Sequence, residues 1–170
     1  MSTAILTSYK GLVLAVHPTA KGFGWVVFES PLSAVDWGIA SAKQGRNARL
    51  QARFARLLER YEPSAVVLEA FEPPSLRAER IRHLCRSMLH LAACKGADTP
   101  VYPRSVIRTV FASVGAVTRF ETAQVIARHI DAFSHRLPEK RKPWQGEDPR
   151  QSLFDAAALA LTYFAVTGPR

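Results

Sequence analysis

Apolar positions follow two different periods along this chain. LVLAV at residues 12–16 is an unbroken apolar run, and GWVVF at residues 24–28 is a second, rich in aromatic and β-branched side chains. Between them lies His17-Pro18-Thr19-Ala20-Lys21-Gly22, where proline fixes its own φ and glycine tolerates a positive one. Two such runs about a short turn predict an antiparallel hairpin. A third strand is expected over residues 35–40. The period then changes. Leu50, Phe54, Leu57, Leu58 and Tyr61 share one face of a helix over residues 46–61. Pro63-Ser64 ends that helix, and Ala65-Val66-Val67-Leu68 predicts a short buried strand closed by Glu69. A loop over residues 70–74 leads to a helix over residues 76–95, with Ile81, Leu84, Met88 and Leu91 facing a core and Gly96 at its C-cap. A strand over residues 99–102 and a helix over residues 105–114 follow.

Thr118-Arg119-Phe120-Glu121 reads as a capping box, in which the Thr and Glu side chains satisfy each other's free amides. It opens a helix to about His135, with Val125, Ile126, Ile130 and Phe133 apolar. Residues 137–150 form a charged, proline-containing loop. Asp148 as N-cap and Pro149 in the first turn start the last helix, residues 152–166. That helix is apolar almost all round and is therefore expected to be buried, with Asp155 its only charge.

Composition narrows the class. The 170 residues are 48% apolar, enough for one globular domain over residues 11–170 behind a polar leader at residues 1–10. Lys and Arg number 23 against 14 Asp and Glu, a formal net charge of +9, which favours a polyanionic partner and nucleic acid before a membrane surface. No apolar run reaches the about 20 residues that span a bilayer and no signal peptide is visible, so the cytoplasm is the expected compartment. Cys85 and Cys94 both lie in apolar helical context and read as reduced core thiols. His83 and His90 read as surface or interfacial residues, since no third ligand accompanies them.

Three positions are chemically out of place. His17 stands where a hydrophobic strand gives way to a loop. Glu69 ends a buried strand, and Asp155 lies one turn into a buried helix; each needs a hydrogen bond, a cation or a metal. Arg46, Arg49, Arg53, Arg56 and Arg60 form a stripe that either tracks a phosphate backbone or is a solvated face whose stems cover the core edge. Trp144 beside Lys140, Arg141 and Lys142 suits stacking and phosphate pairing, or an ordinary flexible loop.

In this order the elements resemble the ribonuclease H-like fold, and within it the RuvC type of Holliday junction resolvase. Leu14-Ala15-Val16-His17-Pro18 with Gly24 is similar to the family's first strand and turn. Val66-Val67-Leu68-Glu69-Ala70-Phe71 resembles its strand ending in a catalytic Glu, with an aromatic residue two positions on that inserts at the junction. Glu121-Thr122-Ala123-Gln124-Val125 and Asp155-Ala156-Ala157-Ala158-Leu159-Ala160 resemble two later segments, the second being the final helix that begins with an acid. The resemblance spans about residues 11–166. It implies an α/β fold with a mixed five-stranded sheet, three antiparallel strands then parallel ones, flanked by helices. It also implies a homodimer on branched DNA, and Mg²⁺ or Mn²⁺ held by carboxylates that activate water and stabilise the leaving oxygen of a phosphodiester.

The chain departs from that pattern. His17 stands where the family has an Asp that bridges both metals. Ser152 stands at the other acid of the final helix, and Thr122 at a basic position. Only Glu69 and Asp155 remain of four acids, with Asp36, Glu147 or Asp148 as substitutes. A site of His17, Glu69 and Asp155 suits a Mn²⁺-type ion better than Mg²⁺. The resemblance thus leads to a branched-DNA-binding protein whose endonuclease activity is altered or lost. An active crossover junction endodeoxyribonuclease and a non-enzymatic interaction protein are the alternatives. Half of an actin-like ATPase is disfavoured by length, since two lobes are needed. Phe71, Arg46, Arg49, Arg53, Arg77, Arg108, Arg119, Lys140, Arg141 and Lys142 are the expected DNA contacts.

Overall fold

The computed structural model describes residues 11–71 and 78–168. The expected leader, the Pro73-Pro74 loop, the first residues of the helix expected from residue 76, and Arg77 lie outside the described residues.

The two apolar runs at the start form β1 (Val13–Pro18) and β2 (Gly22–Ser30), followed by β3 (Ser33–Ser41). β4 (Ala65–Glu69) and the two-residue β5 (Val101–Tyr102) complete a sheet of order β3-β2-β1-β4-β5. β1 runs antiparallel to β2, from Val13 opposite Phe28 to Pro18 opposite Phe23, and parallel to β4, with Ala15 beside Val67. β2 and β3 are antiparallel, and β4 and β5 parallel. This is the mixed sheet expected.

β1 up to Val16 and β4 up to Leu68 are apolar because helices cover both faces of the sheet. Successive side chains point to opposite faces. Leu14, Val16, Val66 and Leu68 pack with Leu50, Phe54 and Leu58 of α1 (Arg46–Tyr61) and with Ile81, Leu84 and Met88 of α2 (Glu79–Cys94). Val13, Ala15 and Val67 face α4 (Arg119–His129) and α5 (Gln151–Thr167), with Phe111 of α3 (Arg104–Ala112) in the same cluster. One step of the pleat beyond Ala15 and Val67 puts His17 and Glu69 abreast on the α5 face, at the carboxyl ends of two parallel strands.

Several local expectations need correction. α4 stops at His129 instead of continuing to His135. Ile130 is extended and a 3₁₀ turn follows over Asp131–Phe133. The break lodges Phe133 among Phe28, Trp37 and Phe154, at centroid distances of 6.4, 5.3 and 5.8 Å, and this aromatic packing outweighs helix propensity. Asp148 does not cap α5. Its carboxylate accepts from the backbone N–H and guanidinium of Arg150, and α5 begins at Gln151, so Pro149 precedes the first turn. Cys85 is buried, whereas Cys94 is exposed, its sulfur 3.6 Å from His90 Nε2. The capping box of Thr118 and Glu121 is formed as expected, and Gly96 adopts φ +82° just beyond α2. α5 is buried on nearly every side, as its composition requires.

Candidate functional site

The site sits where β1, β4, α4 and α5 converge, and a glycine sets the distance. Gly24 pairs with His17 across the hairpin. A Cβ at Gly24 would lie 2.5 Å from the carbonyl carbon and oxygen of Ser152. The missing side chain lets the first turn of α5 lie directly on β2, which holds Asp155 over His17.

His17 is 6% exposed. Its Nδ1 is 3.6 Å from Glu69 Oε2 and its Nε2 is 3.5 Å from Asp155 Oδ2. The imidazole therefore lies between the two carboxylates. Asp155 is held from a second direction by Arg119 of α4, whose Nε donates to Oδ1 at 3.3 Å and whose Nη2 pairs with Oδ2. Arg119 Nη1 also meets Glu147 Oε1 at 2.6 Å. Gln151, one turn earlier on α5, donates to Asp155 Oδ1 at 3.3 Å. Burial pushes the Asp155 carboxyl pKa up, but His17, the charge and hydrogen bond of Arg119, and Gln151 together outweigh it and hold the group below its ordinary value. Burial likewise lowers Arg119, yet Asp155 and Glu147 outweigh it and keep the guanidinium pKa raised.

Two clefts flank this chain of charges. One of about 460 Å³ opens toward α3 and α4, and one of about 500 Å³ toward the β1–β2 turn and β3. His17, Arg104, Arg119 and Asp155 line both.

The donor set does not fit a hard divalent cation. Mg²⁺ requires close to six oxygens at about 2.1 Å. Here an imidazole occupies the space between the two carboxylates, and a guanidinium engages both oxygens of Asp155. The Ser152 hydroxyl donates to the Pro149 carbonyl at 2.7 Å. A transition ion on His17 would have to displace one of the carboxylates that each ring nitrogen faces. Among the described residues no three His, Cys, Asp or Glu side chains are grouped as ligands.

His17, Glu69, Asp155 and Arg119 meet directly, and Arg108 lines the first cleft. Asp36 does not approach the site; its carboxylate accepts from the Tyr61 hydroxyl on α1. Glu147 reaches the site as a partner of Arg119, and Asp148 pairs with Arg150. Arg49 and Arg53 are exposed on α1, across the sheet from His17. Arg46 donates to the Ala20 carbonyl at 3.2 Å, tying α1 to the β1–β2 turn. Phe71 is half-buried against the α1–α2 core. Lys140, Arg141 and Lys142 are exposed, with Lys142 Nζ 5.6 Å from the Trp144 ring centroid. Arg104 and Gln151 were not foreseen from the sequence, and Thr118, expected only as a helix cap, also lines the first cleft. For Arg104 the signal was present, since it precedes Arg108 by one helical turn.

The chain is similar to the Thermus thermophilus RuvC structure, at TM-score 0.66 and 21% identity, over 92% of this chain and 96% of that one. It is similar to T. thermophilus RuvC in complex with Holliday junction substrate at TM-score 0.64 and 21% identity, over the same shares. The fowlpox virus Holliday junction resolvase matches at TM-score 0.56 and 14% identity, over 91% of this chain and 98% of that one. No family model matches the sequence, and no curated protein matches it either. The fold is accordingly that of the RuvC and poxvirus Holliday junction resolvases, within the ribonuclease H-like architecture. No helix among the described residues is long and apolar enough to cross a membrane.

Proposed function

We propose that this protein binds branched DNA, in the manner of a four-way junction, as a pair of identical copies, and that its metal-dependent strand cleavage is lost. One observation carries this reading. The two carboxylates that would hold catalytic ions are bridged by the His17 imidazole, and one of them is also gripped by Arg119. An imidazole and a guanidinium thus stand where divalent ions would be required. The resolvase fold, the net charge of +9 and the arginine-lined clefts support a DNA ligand. That T. thermophilus RuvC and the fowlpox resolvase were solved with Holliday junction DNA supports branched DNA as the ligand class. In this reading Arg46, Arg49, Arg53 and residues 140–142 meet backbone phosphates, and Trp144 stacks on an exposed base.

The test incubates the protein with a labelled four-way junction and a matched duplex, in Mg²⁺ and separately in Mn²⁺, read on native and denaturing gels. The expected result is a junction-selective shift with both strands intact. Symmetric cleavage that disappears in Glu69→Gln would overturn the loss of activity. No DNA affinity at physiological salt would overturn the function itself and leave an interaction protein that keeps only the fold.

A further inference from the structure

The cleft on the α3 side of His17 has a lining that the bridged carboxylates do not explain. Its walls carry three arginines, Arg104, Arg108 and Arg119, against two carboxylates, Glu69 and Asp155. Arg119 is committed to Asp155 and Glu147. Arg104 and Arg108 stand one turn apart on α3 and so present their guanidinium groups on one side of the helix. Among the described residues neither has a carboxylate partner. Thr118 and Thr122 add hydroxyls to the lining, and Ile107, Ala158 and Leu159 add apolar surface. The amides of Val117 and Thr118 are already taken by the Glu121 carboxylate, so the positive groups on offer are the guanidiniums. At about 460 Å³ the cleft has room for a phosphodiester group with attached sugar and water.

We propose that Arg104 and Arg108 form a metal-independent seat for one backbone phosphate of a DNA strand. The inference rests on the DNA-binding reading above and adds to it the ligand group, the residues and the absence of any divalent requirement. The chemistry follows from the charges. A strand phosphate cannot approach two bare carboxylates without a cation between them. Here His17 and Arg119 occupy the carboxylates, which leaves the α3 guanidiniums free to engage the phosphate oxygens with their paired N–H groups. Lysine at either position would keep the charge and lose the fork.

The test measures junction affinity in EDTA, using junctions in which single linkages near the crossover are replaced in turn by a neutral methylphosphonate. For the wild-type protein one linkage should stand out, its replacement weakening binding about tenfold, as the loss of a charged hydrogen-bonded pair implies. Arg104→Gln/Arg108→Gln should weaken the unmodified junction by a similar factor and become indifferent to that linkage. Arg108→Lys should fall between the two. Arg104 is half-buried and Arg108 exposed, so circular dichroism melting serves as the folding control. A double variant that binds like the wild type, or that keeps the same sensitivity to the linkage, would overturn the proposal. If the wild-type protein binds no junction, the function proposed above fails and the seat is tested alone with hexadeoxythymidylate. Binding abolished in the double variant then keeps the seat, and equal binding by both proteins overturns it.

Discussion

His17 decides the character of the site, and its replacement is the most informative change. His17→Asp removes the imidazole from between Glu69 and Asp155 and adds a third carboxylate at a position 6% exposed. Three acids crowded together repel and lose stability without a cation. A divalent ion that binds only the folded form then stabilises it, by about 2.7 kcal/mol at a hundredfold excess over Kd. The expected outcome is a variant whose melting temperature rises by several degrees on adding Mn²⁺, while the wild-type protein does not respond. Differential scanning fluorimetry with and without EDTA decides it, and an unresponsive variant would show that Arg119 alone closes the site.

Asp155 makes a second prediction at this scale. Its folded pKa is depressed, by His17, Arg119 and Gln151 acting against burial. A depressed carboxyl contributes stability above its unfolded value, and that stability is lost as pH falls through the folded one. The window therefore lies from the ordinary value of 3.8 downward. Asp155→Asn should cost about 2 kcal/mol at pH 7, because it removes the carboxylate that the buried His17 and the exposed Arg119 share. Its stability should then fall less steeply than the wild type's below pH 4. Urea unfolding at a series of pH values measures both; parallel curves for the two proteins would contradict the assignment.

At the scale of elements, the approach of α5 to β2 is the contact on which the site depends. Gly24→Ala places a methyl 2.5 Å from the Ser152 backbone, which cannot rotate out of the way. Overpacking of this kind costs about 1–3 kcal/mol. The helix must move off the sheet and carry Asp155 away from His17. The variant should unfold at lower urea and lose part of the acid dependence just described; an unchanged midpoint would mean that α5 is held by its other contacts alone. α4 has a comparable dependence on its capping box, which starts the helix that presents Arg119. Thr118→Ala should cost about 1 kcal/mol, read from the same unfolding experiment. Phe133 supplies the counterpart lesson. Its burial among Phe28, Trp37 and Phe154 ends α4 at His129, a boundary that no local pattern marks.

For the whole molecule the dominant quantity is charge. A protein of net charge +9 that contacts several phosphates releases counterions on binding, so the logarithm of its affinity should fall linearly with the logarithm of salt concentration. Fluorescence anisotropy of a labelled junction between 50 and 200 mM salt should show a loss of about a thousandfold if six phosphates are met. A flat dependence would rule out a phosphate-dominated interface. The exposed arginines of α1 and the cleft of α3 lie on opposite layers of the sheet, so variants in the two groups should reduce the slope independently.

The sequence by itself determined the strands, the helical faces and the two-sided burial of β1 and β4. Those features depend on local periodicity and on turn and cap chemistry, which are written in neighbouring residues. It also singled out His17, Glu69 and Asp155, because a polar group at the end of an apolar run must find a partner. The identity of the partner was decided only by tertiary structure. Asp155 and Arg119 are separated by 36 positions and belong to different helices. The imidazole bridge needs β1 and β4 parallel and abreast, which no spacing along the chain specifies. Asp36 shows the same limit from the other side: it resembled a substitute ligand, yet its pleat and neighbours direct it to Tyr61. Arg104 carried a legible signal in its one-turn spacing from Arg108. The packing of α3 and α5 against the sheet turned that spacing into the wall of a cleft.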